Sequence, residues 1–209
     1  NSLHEDQKAF NYLEQAATSD VKKLNQRSRG YAARAAFLMT ESSFGTFIGI
    51  KLELPEEKLK ASTKKKLDLL EHLVTRYTKV VSYGDGEWGI AALERLYDAF
   101  TIFSLELENS PIPDKYQAEK RENYVRGIRS ISQPMRTKGI EYLRQANDKG
   151  LQLGVTSSTF VAVSQRLART MPSEHPPAHL SLESKSRAEF LTTQLRVFGE
   201  IPSGELSPE

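Results

Sequence analysis

Residues Gly84–Pro113, GDGEWGIAALERLYDAFTIFSLELENSPIP, decide the fold. Leu93, Leu96, Tyr97, Phe100, Phe103 and Leu107 recur at the i, i+3, i+4, i+7 spacing of a buried helix face. A second apolar line, Ala92, Ala99, Ile102 and Leu105, widens the stripe beyond what one neighbour can cover. The Gly84-Asp85-Gly86 turn opens this helix and Pro111 and Pro113 stop it, because proline carries no amide to continue the ladder. The pattern predicts a central helix packed between others.

Upstream, Pro55 begins a run in which Leu59, Leu67, Leu70, Leu73, Val74, Tyr77 and Val80 or Val81 keep helical period. Glu56 and Glu57 suit the positive end of its dipole. The Lys64-Lys65-Lys66 run inside it reads as a solvated face. Before it, the alanines 32, 33, 35 and 36, then Phe37, Phe44 and Phe47, predict close helix contact; Gly45 and Gly49 are expected where a neighbour crosses closely. Residues 5–18 read as a short amphipathic helix.

Downstream, Asp114 and Gln117 resemble a capping box ahead of Tyr116, Tyr124, Val125, Ile128 and Ile131. Pro134 is expected to kink that helix or to begin another, capped by Ser132 or Gln133. Met135, Ile140, Leu143 and Ala146 follow, with Gly150 and Gly154 as the end. Residues 156–158 cap a last helix of the unit through Phe160, Val163 and Leu167. The expected organisation is a helical domain over 1–171, a connector over 172–184, a capping helix over 185–198 and a flexible tail over 199–209. No alternation sustains a strand, so the class is all-α.

Composition narrows the chemistry. With Lys+Arg 29 against Asp+Glu 27, the net charge of +2 does not mark a nucleic-acid surface. The absence of cysteine excludes disulfides, a thiol nucleophile and Cys-ligated metals. No apolar run reaches the roughly 18–20 residues of a membrane span. The polar start, NSLHEDQKAF, lacks a signal-peptide core and an initiator Met, and is expected to belong to a piece cut from a longer chain.

A small residue, a large one four later and Ala three after that form the second-helix signature of tetratricopeptide repeats. Gly139, Leu143 and Ala146 fit it; Leu73, Tyr77 and Val80 fit it less closely 66 residues upstream, and Ala99 with Phe103 in part. From Ala32 to about Ser158, the order of ARAAFLMTESSF, YTKVVSYGDGEW, AALERLYDAF, SPIP, KGIEYLRQA and LGV resembles divergent tetratricopeptide-repeat envelope proteins of gliding and predatory bacteria. The resemblance implies stacked antiparallel hairpins in a right-handed, TPR-like solenoid with long, irregular helices. It also implies a periplasmic or envelope-associated scaffold of the kind used in gliding motility or predation, with a protein or peptide partner and neighbouring repeats of the same polypeptide.

Candidate chemistry is sparse. His175 and His179 are four apart, but Pro176 and Pro177 forbid the helix that would bring them together as metal ligands. GDGEWG follows a helix and places Asp85 and Glu87 where a phosphate would sit. Glu106 and Glu108 are two apart on a helix, hence on different faces. No cofactor, metal or catalytic set is expected. Two arginine groups are the candidate partner-binding residues: Arg27, Arg29, Tyr31 and Arg34, and Asn123, Arg126 and Arg129. Guanidinium groups on a helical surface can clamp an acidic peptide through bidentate bonds. The expected function is a non-enzymatic protein-interaction scaffold without a nucleic-acid ligand. The alternative is an RNA- or anionic-polymer-binding repeat using Lys64–Lys66 and Arg121–Arg129.

Overall fold

A computed structural model describes residues 24–175, which form five α-helices and no strand. They are α1 (Gln26–Gly49), α2 (Glu56–Ser82), α3 (Gly86–Glu108), α4 (Ala118–Leu153) and α5 (Ser158–Thr170). The class is all-α. The helices expected over 5–18 and 185–198, the tail 199–209 and the connector beyond residue 175 lie outside the described residues; residues 172–175 form a turn.

Consecutive helices run antiparallel. Lys66 of α2 meets Glu106 of α3 while Tyr77 meets Glu41 of α1. Ser132 of α4 meets Ser104 of α3, and Ser164 of α5 meets Asn147 of α4. Helix α3, the stretch that opens the sequence reading, packs on all four others. One face enters a core with the alanines and phenylalanines of α1 and with Leu70, Leu73, Tyr77 and Val80 of α2. Another, Ile90 and Leu93, enters a second core with Leu143 and Ala146 of α4 and Val163 and Leu167 of α5. Helix α3 also touches α1 and α5, so the odd-numbered helices form one continuous layer.

Local chemistry sets the ends. The Asp85 carboxylate caps α3 by accepting from the Trp88 amide at 2.9 Å, and Ser157 caps α5 by accepting from Phe160 at 3.3 Å. Such caps contribute about 1 kcal/mol each. Gly154 ends α4 at φ 62°, a left-handed conformation that favours glycine.

Four expectations are corrected. Helix α4 starts at Ala118 with Gln117 as N-cap and no side-chain cap bond, so the Asp114–Gln117 box does not form. No new helix begins at Pro134: α4 runs through it unbroken, with the ring on the exposed side. Glu108 holds the turns on either side of the proline, accepting from Ser132 Oγ at 2.9 Å and Arg136 Nη2 at 2.8 Å. The Ser104 hydroxyl donates to the Ser132 carbonyl at 3.0 Å. These contacts with α3 offset the backbone bond that proline cannot make.

No neighbour comes within 4 Å of a Cβ built at Gly45 or Gly49. The close approaches fall instead at Gly139, against Phe100 and the Tyr97 carbonyl, and at Gly150, where a Cβ would meet the Phe160 ring at 2.2 Å. Lys66, finally, is not solvated but fully buried. Its ammonium donates to Glu106 and, at 3.0 Å, to the Ile50 carbonyl, and it stands 4.7 Å from the centroid of the Phe47 ring. Desolvation lowers the Lys66 pKa, against the pull of Glu106.

Candidate functional site

Helices α2 and α4 both pack on α3 but barely on each other. Between them lies a groove of about 350 Å³. Leu59, Thr63 and Leu67 line it from α2, and Tyr124, Ile128 and Ile131 from α4. Leu107 lines it from α3, and Tyr116 from the loop after it. The lining is apolar because both helices carry apolar residues at helical spacing on the sides that face the gap. Ile131 is 49% exposed and Leu67 39%. Large apolar side chains in contiguous exposure are what docking surfaces present.

The charged residues of the groove are Glu56, Lys60 and Lys64. Glu56 is already shared: Lys115 Nζ lies 2.7 Å from it and Lys60 Nζ 2.8 Å. Hydrogen bonds from Lys115, Lys60 and Tyr116 hold the Glu56 carboxyl down to about 2. Lys120 stands 4.3 Å from the centroid of the Tyr116 ring. This end of the groove is therefore cationic above an apolar floor.

A second polar region joins α1, α2, α3 and α5. Glu41 accepts from the Tyr77 hydroxyl at 2.6 Å and from Arg95 Nη2 at 3.1 Å. Arg95 also reaches Asp98 at 3.3 Å, and Asp98 accepts from Arg166 at 2.6 Å; Arg166 lies 3.3 Å from Glu94. Arg95 stacks on Phe44 and Arg166 on Tyr97, at 5.2 and 5.5 Å from the ring centroids. Burial raises the Tyr77 and Glu94 pKa values. Each charge here already has a partner, so the network ties four helices together.

The chain matches no family model, no curated protein and no solved structure.

The sequence-derived candidates fall into two separate places. Arg27, Tyr31 and Arg34 share an exposed face of α1, with Arg34 6.0 Å from the centroid of the Trp88 ring. Arg29 points elsewhere: its Nε donates to the Leu24 carbonyl at 3.1 Å. Asn123 and Arg126 are exposed and bonded to each other at 3.3 Å, and Arg126 lies 3.6 Å from Glu122. Arg129 edges a small cavity of about 170 Å³ that shares Leu107, Ser110, Tyr124 and Ile128 with the α2–α4 groove. Trp88 and Glu108 sit at opposite ends of α3, roughly 30 Å apart at 1.5 Å per residue, so the two arginine groups do not converge. Of the residues needed by the polyanion alternative, Lys66 is consumed by Glu106, whereas Lys64, Lys65, Arg121, Arg126 and Arg129 are exposed.

Proposed function

We propose that this chain is a non-enzymatic interaction scaffold that takes a segment of a partner protein into the groove between α2 and α4. The observation that carries this reading is the groove itself: an apolar floor with half-exposed Leu67 and Ile131 between two helices that both pack on α3 and barely touch each other. Burying such side chains stabilises a complex by about 25 cal/mol per Å² of apolar surface removed from water.

The scaffold is read as a stack of TPR-like hairpins. Two features favour this. Leu73, Tyr77 and Val80 of α2 are buried in the core shared with α1 and α3, while Leu143 and Ala146 of α4 are buried in the core shared with α3 and α5. A shift of two helices thus carries one environment onto the other, as in a repeat whose units contact nearest neighbours. The proposed setting, from the motif order alone, is a bacterial envelope or periplasmic assembly serving motility or predation, with further repeats of the same polypeptide alongside. No described helix is long and apolar enough to cross a membrane.

The test is a photo-crosslinking amino acid placed at Leu67 in the full chain, with a second placement at the exposed Thr75 as control, followed by irradiation in the native cell. A protein adduct formed from position 67 and not from 75 is the expected result. Adducts to RNA, or equal adducts from both positions, would overturn the reading.

A further inference from the structure

Resting on that groove reading, we propose that the occupant is a short acidic amphipathic helix of a partner protein, laid between α2 and α4 with three apolar side chains on the floor. Geometry selects a helix. The two walls are ridges of two turns each, Leu59 to Leu67 on α2 and Tyr124 to Ile131 on α4, about 12 and 10 Å long. A helix with apolar residues at i, i+4 and i+7 spans the same length and sets three anchors along it. An extended strand crosses about 12 Å in four residues and directs only two side chains at one face. The floor asks for more apolar contact than that.

Charge selects an acidic one. At the Tyr116 end, Lys60 and Lys115 meet two carboxylates, Glu56 and Glu57, with Lys120 over the Tyr116 ring, and Lys64 stands about two turns beyond Glu56 along α2 on the same groove. Glu56 is engaged by Lys115 and Lys60, and the field of Glu57 acts on the same two lysines. Lys64 is exposed at the groove and is in no ion pair. A carboxylate arriving on the flank of an apolar helix meets Lys64, whose charge no residue of the groove pairs. A basic helix meets like charge at every one of these positions. A nucleic acid would find lysines for its phosphates but would leave Leu67 and Ile131 in water.

The experiment is fluorescence anisotropy of the full chain with a labelled synthetic peptide of about 15 residues, long enough to hold a helix. It carries leucines at i, i+4 and i+7 and glutamates on its flanks. Two matched peptides accompany it, one with lysine for every glutamate and one with the same composition in scrambled order. The acidic peptide is expected to bind about tenfold or more tightly than either. Leu67→Ser/Ile131→Ser, checked for retained helicity by circular dichroism, loses that binding, and Lys64→Glu weakens it several-fold. Equal affinity for the three peptides, displacement by an RNA oligonucleotide, or self-association of the full chain that the groove variant abolishes would each overturn the proposal. If the acidic peptide fails while protein adducts still form at position 67, the occupant is wrong and the groove stands.

Discussion

Two lysines on one helix face opposite fates. Lys66 is wholly buried, bonded to Glu106 and Ile50, and stacked on Phe47; Lys64, two residues earlier, is exposed at the α2–α4 groove. The regions around them differ in the same way. On one side of α3, Glu41, Arg95, Asp98, Arg166 and Glu94 satisfy one another across four helices. On the groove side, apolar side chains and a lysine excess wait without cover. Closed polar networks fix how helices sit, because any member removed leaves another unpaired. Open apolar floors with unspent charge are where a molecule gains by adding a partner. On the proposed function, the network serves architecture and the groove recognition.

The sharpest way to break this contrast is to exchange the roles of the two lysines. Lys66→Ala should destabilise the chain by about 3 kcal/mol, because it leaves Glu106 and the Ile50 carbonyl facing an empty apolar site. Lys64→Ala should change stability by less than about 0.5 kcal/mol. Urea unfolding followed by circular dichroism measures both. Comparable losses would mean that the groove lysine is also structural.

The α4–α5 contact offers the next largest effect. Gly150→Ala forces a methyl into the Phe160 ring and should cost about 2 kcal/mol, in the range of overpacked cores. Gly45→Ala, with open space around it, should instead stabilise α1 by about 0.5–1 kcal/mol through helix propensity. Thermal unfolding of the two variants separates a required glycine from a dispensable one.

A smaller effect is expected in the groove. Leu67→Ser/Ile131→Ser removes apolar groups that are about half in water, so stability should fall by about 1–2 kcal/mol while partner binding is lost. A loss of several kcal/mol would place these residues in the core and remove the groove.

Acid provides the most local probe. The Glu56 pKa is lowered in the fold by Lys115, Lys60 and Tyr116, from the ordinary 4.5 to about 2. Its contribution is therefore complete above pH 4.5 and is lost as pH falls towards 2, so the Tyr116 loop should loosen from α2 only across that window. A carbon-detected NMR titration of the Glu56 carboxyl should give a midpoint near 2, moving up towards 4.5 in Lys60→Met/Lys115→Met. An ordinary midpoint in the unaltered chain would remove the anchored lysine cluster from the groove rim.

Much of the architecture was legible in the residue order. The stripe from Leu93 to Leu107 placed α3 at the centre, and Leu73, Tyr77 and Val80, like Leu143 and Ala146, are core residues as their period indicated. Ser157 caps α5 within the stretch 156–158 that was expected to do so, and the Gly84–Gly86 turn opens α3. What escaped depends on contacts distant in sequence. Lys66 sits in a charge run that looks solvated, and its carboxylate partner is 40 residues away. Pro134 looked like a break because the three hydroxyl and guanidinium contacts that hold α4 together come from the packing on α3. The groove is the subtlest case. Leu67, Ile128 and Ile131 carry the period of a buried face, and periodicity tells which residues share a face but not whether a neighbour covers it. Arg29 was grouped with Arg27, Tyr31 and Arg34 by proximity in sequence, whereas two residues on a helix face opposite ways.

The central claim is that recognition happens in the α2–α4 groove and not on the network side. Hydrogen–deuterium exchange of the full chain, alone and in the complex recovered through position 67, tests it most directly. The account predicts slowed exchange over residues 59–67 and 124–131, with segments around Glu41, Arg95 and Arg166 unchanged. Slowed exchange confined to those network segments, with the groove unaffected, would contradict it.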